Sequence, residues 1–373
     1  MKKKYLVLLV MILIVISGCD IFNTNFDDLE DARMYKAKVI THAPDNPASL
    51  KIMTWNIKFG GARIDFFFDG WGDEVLMDES IVIENTENIA DYINTVQPDI
   101  ILLQELDIDS KRSAYVDQMQ FILDETDLNY GAYASQWKAD FVPSDGLGRM
   151  NSGNAIMSKW RITDAERIAL PLIDQDGLTQ YFYLRRNILK TRIQIGDEEL
   201  QVLNIHASAY SKDGTKKEQI DIFKGELDDL NTEGLLFVAG GDFNAIPPNS
   251  LNWLEEGFPD RPDDLGGDYE VEDYDTDDMV EFYADYHPDL SPDEYVLFEE
   301  VDDYFSPYYT HSIYINLSDE DDYDPEIADI DWNRKLDYLF TNDPAGWIAG
   351  SNETHQDTRQ LSDHCPVTVE LEW

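Results

Sequence analysis

Cysteine is nearly absent: the 373 residues hold two, Cys19 and Cys365. A framework of several disulfides is therefore excluded, and the fold must be held by its core. Basic residues are scarce too, 28 against 76 acidic, for a net charge of −48. A field of that sign repels nucleic acid and anionic membranes at long range, although salt screens it beyond roughly 10 Å. It bears on solubility and association, and a saline habitat would suit it, but it names no chemistry. The chain also lacks an apolar run long enough to span a bilayer. The stretch "YLVLLVMILIVI" is about 12 residues, short of the roughly 20 a helix needs. No internal repeat is visible.

What is present is more specific. Hydrophobic residues make up 43%, with 17 Phe, 20 Tyr and 8 Trp, enough for a substantial core. Lys2, Lys3 and Lys4 precede the short apolar run, and "SGCD" follows it. A basic segment, a short apolar segment and small residues at a boundary describe an export signal. The ending "ISGC" resembles the lipobox of bacterial lipoproteins, which implies that residues 1–18 are a signal peptide and that Cys19 is acylated. The expectation is an extracytoplasmic, lipid-anchored protein of the bacterial cell envelope, a monomer, held to the membrane through its N-terminal lipid. Cys19 is then unavailable to pair with Cys365.

Residues 19–48 are polar, turn-rich and weakly periodic, and read as a tether. From Leu50 the pattern alternates. "LKIMTWNI" and "DIILLQEL" read as buried strands, "SIVIENTENIADYINTV" and "YVDQMQFILDET" as helices. "GNAIMS", "RITDAERIAL", "YFYLRRNILKTRIQI" and "ELQVLNIHA" read as successive strands, with a helix near Lys216 to Leu230. This order implies α/β layers with some antiparallel pairing. Residues 49–373 form the domain, with an acidic insertion at about 255–335. Its runs "DYEVEDYDTDDMVE" and "SDEDDYDPEIADID" hold no basic residue and lack the spacing of an EF-hand loop, so they read as solvated loops.

The strand ends carry the chemistry. "TWNIKFG" offers Asn56, "LLQELD" Glu105, "LNIHASAY" Asn204 and His206, and "GGDFNAIP" Asp242 and Asn244. "RKLDYLFT" places Asp337 in an apolar strand, and "LSDHCPVTVELEW" gives Asp363 and His364 before the last one. Singly, each has an ordinary explanation as a cap, a turn or one half of a salt bridge. Together they place carboxylates, amides and histidines where α/β folds hold ligands.

The ordered motifs WN, QE, NxH, GDFN, LDY and SDH, from Leu50 to Trp373, resemble the endonuclease/exonuclease/phosphatase superfamily, the deoxyribonuclease-I-like fold. The resemblance implies a four-layer α/β/β/α sandwich, two central mixed sheets flanked by helices, and hydrolysis of phosphate esters assisted by Mg²⁺ (or Mn²⁺ or Ca²⁺). By resemblance Glu105 is the chief metal ligand, with Asn56 and Asp363 beside it. Asp242 activates or orients water, Asn244 orients Asp242, and Asp337 fixes His364. Whether Asp242 or His364 is the formal base stays open. His206 places the chain nearer the two-histidine branch of secreted deoxyribonucleases and bacterial sphingomyelinases. Asn154 in "NSGNAIMS" and Asn204 resemble substrate-phosphate positions. Cys365 beside His364 is a poor nucleophile candidate, because neighbouring strand residues face opposite ways.

Nucleic acid is the favoured substrate, with Lys212, Lys216, Lys217, Arg149, Arg185 and Arg186 as the cations to meet it. A sphingomyelin-like head group and an inositol phosphate are the alternatives. A different class, an inactive lipoprotein binding module, fits poorly with so complete a set of site residues.

Overall fold

Strand β3 (Ser49–Asn56) is apolar on both faces, and its two faces meet different neighbours. Leu50 and Ile52 join Ile100 and Leu102 of β4 (Ile100–Asp107), together with Val202 and Val238, in one core. Met53, Trp55, Ile101 and Leu103 face the other way, towards Ile89, Ile93, Met119 and Ile122. Those four lie on helices α1 (Glu79–Val96) and α2 (Gln118–Glu125). A strand buried on both sides needs a continuous apolar run, which is why β3 and β4 read so clearly. A third core sets Leu203, Ile205, Ala239 and Phe340 against Ile220, Phe223 and Leu227 of α4 (Thr215–Glu233). The layers are thus helices, sheet, sheet, helices. The computed structural model describes residues 20, 22–64, 66–67, 73–209, 211–248, 258–259, 271–272, 277–290, 307–312 and 332–373.

One sheet has seven strands in the order β1-β7-β8-β9-β10-β16-β13, the other seven in the order β17-β18-β3-β4-β6-β5-β2. In the first are β1 (Leu29–Asp31), β7 (Arg161–Ala169), β8 (Asn187–Ile195), β9 (Glu198–His206), β10 (Phe237–Asp242), β13 (His287–Pro288) and β16 (Asp337–Thr341). In the second are β2 (Arg33–Lys36), β5 (Tyr130–Val142), β6 (Gly148–Ser158), β17 (Glu353–Thr354) and β18 (Val367–Glu372) with β3 and β4. Each of these sheets holds a parallel pair, β3 with β4 and β9 with β10, bridged by α1 and α4 respectively. Short ribbons add β11 (Phe258–Pro259) to β12 (Val271–Glu272), and β14 (His311–Ser312) to β15 (Trp332–Arg334). No helix among the described residues is long and apolar enough to cross a membrane.

Three expectations need correction. The stretch read as a tether is part of the domain: β1 pairs with β7 and β2 with β5, so it closes an edge of each sheet. These strands are short and mostly exposed, so their sequence shows no periodicity. "YFYLRRNILKTRIQI" is not one strand. Helix α3 (Gly177–Phe182) ends inside it, its start fixed by Asp176, whose carboxylate accepts from Leu178 N and Thr179 N. The acidic insertion is partly structural as well. Helix α5 (Val280–Asp285) packs through Phe282, β13 extends a sheet, and Leu290, Tyr309 and Trp332 share a core with Cys365. The second quoted acidic run and half of the first lie outside the described residues; residues 1–19, with Cys19, lie wholly outside them.

Removing residues 20–48 should therefore lower stability by at least about 2 kcal/mol, the scale of one large apolar side chain such as Tyr35 losing its burial. Urea unfolding of a chain beginning at Asp20 and of one beginning at Ser49 measures it. Equal midpoints would restore the tether reading.

Candidate active site

The two parallel pairs end at the same edge, where the sheets meet. Asp242 closes β10 and lies opposite His206 on β9 and Asp337 on β16. Two glycines precede it because the strands crowd there. A Cβ on Gly241 (φ +133) would sit 2.0 Å from the Ile205 carbonyl oxygen, and one on Gly240 2.3 Å from that of Tyr338. The chain then turns at Asn244 (φ 47), a left-handed position that Asn tolerates. Asn244 N donates to Asp242 Oδ1 at 2.9 Å, and its side chain donates to the Ala207 carbonyl at 3.0 Å.

Asp242 Oδ2 is the meeting point. Asn56 Nδ2 donates to it at 3.1 Å, His206 Nε2 lies 3.4 Å away and His364 Nε2 3.6 Å away. His364 is held from behind by Asp337, with Nδ1 to Oδ2 at 2.8 Å. Trp55 Nε1 donates to the His364 carbonyl at 2.9 Å. Glu105 arrives by a bulge. The register of β4 on β6 shifts between Leu103 and Leu106, and Glu105 has φ 54. A non-glycine residue in that region is strained, and a bulge re-aims a side chain. The Glu105 carboxylate accepts from Asn56 Nδ2 at 3.4 Å and lies 3.9 Å from His206 Nε2.

Burial sets the proton affinities. It raises the Asp242 carboxyl to about 7, against the pull of the His364 charge and with the help of the Asp337 charge. Burial alone would lower His364, but Asp337 and Asp242 outweigh it and the ring is raised to about 10. His206 is driven well below its usual value by burial, with Arg186 and His364 adding to the effect. The surroundings thus favour a proton on the His364 ring and a neutral His206, and they raise the proton affinity of the Asp242 carboxyl. Burial raises Asp363 less than Lys58 and the nearby histidines lower it, so it stays ionised.

Of the expected residues, Asn56, Glu105, His206, Asp242, Asn244, Asp337 and His364 come together. Asp363 sits beside His364 but is bound by Lys58 Nζ at 2.9 Å. Asn56 differs from its expected role: Lys58 N donates to its Oδ1, so the amide turns N–H groups, not oxygen, towards Glu105 and Asp242. Asn204 is a correction. It lies one pleat deeper than His206 on the same face of β9, fully buried between the sheets. Its Nδ2 donates to the Leu103 and Ala155 carbonyls, and its Oδ1 accepts from Gln104 Nε2. It joins the sheets, with both ends of its amide engaged by protein groups. Asn154 is likewise fully buried, donating to the Asn187 carbonyl at 3.2 Å, and contacts none of the cluster. Cys365 is buried, its thiol 3.5 Å from the Tyr309 carbonyl, as expected of a small apolar residue.

Three residues were missed or undervalued. His311 packs edge-on against His364 at 4.7 Å and accepts at Nδ1 from Arg334 Nε at 3.2 Å. It lies in the stretch read as an insertion, where nothing marked it. Lys58, two residues after Asn56 in "TWNIKFG", was not singled out. Arg186, one cation among several in sequence, acts on the charges of Glu105, Asp242 and His206.

The oxygen donors fit a hard divalent cation. Glu105 is about a third exposed at 32% for its side chain, and among the described residues its carboxylate meets only Asn56 and His206. It would hold the ion with Asp363 once Lys58 yields, water filling the shell. The carboxylates of Asp242 and Asp337 and His364 also lie within 4.8 Å of one another, but the short bond between the latter two already engages His364 Nδ1.

The model of the Endonuclease/Exonuclease/phosphatase family matches residues 53–364. The chain belongs to that family. Its members are hydrolytic phosphoesterases, generally dependent on a divalent metal. No curated protein matches the sequence. An endonuclease/exonuclease/phosphatase from Beutenbergia cavernae DSM 12333 is 19% identical, with TM-score 0.53 over 87% of this chain and 72% of that one. A family protein from Leptotrichia buccalis C-1013-b is 15% identical, with TM-score 0.50 over 87% of this chain and 100% of its own. These likenesses confirm the four-layer fold.

If both histidines serve one phosphate, His206→Ala and His364→Ala each cut kcat/KM by at least about 10². The double variant then falls well short of the product of the two losses. Kinetics and melting temperature on the same preparations decide the matter. A His206→Ala protein that melts lower yet turns over at the normal rate per folded molecule would make that ring structural.

Proposed function

We propose that this phosphoesterase cleaves phosphodiesters, with Asp242 as the base and His364 as the cationic acid. The observation that carries this reading is the sharing of Asp242 Oδ2 by two imidazole Nε2 atoms, at 3.4 and 3.6 Å. Asp242 takes the proton of the attacking water, its orientation fixed by Asn56 and by Asn244 N. His364, charged and clamped by Asp337, presents Nε2–H to the phosphate and can pass that proton to the leaving oxygen. His206 is neutral and can accept from the water or donate to the phosphate. Arg186 adds positive charge on the same side. A divalent ion on Glu105, Mg²⁺ in this reading, supplies charge neutralisation as the phosphoryl oxygens become more negative.

The extracellular nuclease expected from sequence rests on surface cations. In the structure Arg149 is paired with Asp109 and Asp140, and Lys217 with Asp221, while Lys216 is buried. Cations so neutralised give a long polyanion little to follow. This favours a substrate that brings one phosphodiester into the site, a short nucleotide end or a head group. The lipobox remains the basis for inferring an exported protein acylated at Cys19.

A panel of bis(p-nitrophenyl) phosphate, p-nitrophenyl phosphate, DNA, RNA, sphingomyelin and inositol phosphates tests the reading. Diester cleavage that needs Mg²⁺ and stops with chelator is expected, and Glu105→Gln should lose at least about 10³ in kcat with an unchanged melting temperature. Hydrolysis of monoesters alone overturns the diester reading; no hydrolysis of any ester leaves a binding module.

The protonation states also set the pH profile. The base must be ionised, so kcat/KM rises as Asp242 loses its proton near about 7. The acid must be charged, so the rate falls as His364 loses its proton near about 10. A bell with these limbs, whose apparent values belong to the cluster as a whole, is expected. A rate still climbing above the upper limb would remove His364 as the acid.

A further inference from the structure

Asp20, the residue after Cys19, is bound to the domain. Its carboxylate accepts from the Tyr181 hydroxyl at 2.7 Å, the Thr24 hydroxyl at 3.2 Å and Asn25 N at 2.7 Å. Phe22 packs among Phe182, Phe141 and Tyr181, with ring centroids 5.5, 6.3 and 6.4 Å away, and its carbonyl accepts from Asp140 N at 2.7 Å. Beside this clamp two large apolar side chains face solvent: Phe141 is 51% exposed and Leu178 72%. Leu178 precedes Tyr181 by three residues on α3, so both lie on one flank of the helix. The apolar rim therefore surrounds the place where the chain leaves towards Cys19. Its charges are mixed: Arg149 is paired with Asp140, and the Lys138 ammonium lies over the Phe26 ring at 5.6 Å.

We propose that this rim is a membrane-docking face, with the domain lying flush on a bilayer of low charge and Phe141 and Leu178 against lipid. The inference rests on acylation of Cys19 and is independent of the reaction catalysed. A free tether over residues 20–48 could reach about 100 Å from the membrane. With Asp20 clamped, an acyl anchor on the residue before it would be tied to the rim through a single trans peptide unit, which spans only about 3.8 Å between Cα atoms. Exposed apolar groups placed there meet acyl chains and headgroups as soon as the anchor inserts. The net charge of −48 disfavours an anionic surface, so the partner is a largely zwitterionic one. Docking in this way also sets where substrate comes from. Phe182 on the rim and Arg186 at the catalytic cluster are four residues apart, so their Cα atoms lie within about 14 Å. A docked rim would thus hold the catalytic cluster near the membrane, within reach of phosphodiesters presented at it.

The test uses the full chain, processed with its own leader and reconstituted in phosphatidylcholine vesicles. An environment-sensitive thiol dye is placed by Leu178→Cys, by Phe141→Cys, or by Glu233→Cys at the far end of α4. Cys365 is fully buried and does not compete for the dye. Nitroxide-bearing lipid should quench the dye at positions 178 and 141 at least about threefold more than at 233. Equal quenching at all three positions, in protein that floats with the vesicles, overturns the docking face. Soluble protein whose Cys19 carries no acyl group by mass spectrometry overturns the anchor and the docking together. Diesterase activity of the same samples reports separately on the chemistry.

Discussion

The site exists only if two sheets that share no hydrogen-bonded strand keep a fixed offset. Asn56 and Glu105 come from one sheet, with His364 leading into its β18. His206, Asp242 and Asp337 come from the other. An apolar interlayer core gives cohesion but little register, because dispersion contacts are not directional. The directional tie is an amide pair in the middle of that layer. Gln104 Nε2 donates to Asn204 Oδ1 and Thr54 Oγ1, while Asn204 Nδ2 donates to carbonyls of β4 and β6. With both ends of the Asn204 amide engaged, and Gln104 held through its Nε2, any slip would leave several buried groups unpaired, at roughly 1–3 kcal/mol each. Asn56 to Asp242 repeats the tie at the rim, where the chemistry is.

Around that tie the charges divide by depth. Among the described residues few carboxylates are buried, and the site places cations and rings around those it holds: Lys58 on Asp363, His364 between Asp337 and Asp242, Arg186 nearby. Two carboxylates as close as Asp242 and Asp337 resist joint ionisation, and the imidazolium between them lowers that cost. The arrangement favours a proton on 364 and raises the affinity of 242 for another. Net charge alone revealed none of this.

Much was legible because burial and periodicity are strong where they matter. The helices α1, α2 and α4 and the strands β3, β4, β9 and β10 followed from apolar runs and 3.6-residue spacing. The polar strand ends followed from residue type. Depth was not legible. Asn204 and His206 are two residues apart on one face, and no sequence pattern says which pleat is covered by the opposing sheet. Short edge strands were not legible either, since β1 and β2 derive their order from β7 and β5, far along the chain. His311 was hidden for the same reason: it pairs with His364 across a long separation. Aromatic residues in "YFYLRR" suggested a strand, while the Asp176 cap that starts α3 decided otherwise.

The place of β18 has a consequence for the order in which the protein becomes active. It pairs antiparallel with β3 along its whole length, Val367 opposite Thr54 through to Glu372 opposite Ser49. The first strand to offer a site residue thus waits for the last one, and Trp55 is capped by the carbonyl of His364. A chain still emerging from the ribosome has Asn56 and Glu105 but neither His364 nor β18, which pairs with β3 in their sheet. Hydrolytic competence therefore arrives in one late step, after some 300 residues have been delivered. Every unfinished copy thus carries the early site residues without the groups that would let it hydrolyse a phosphate ester.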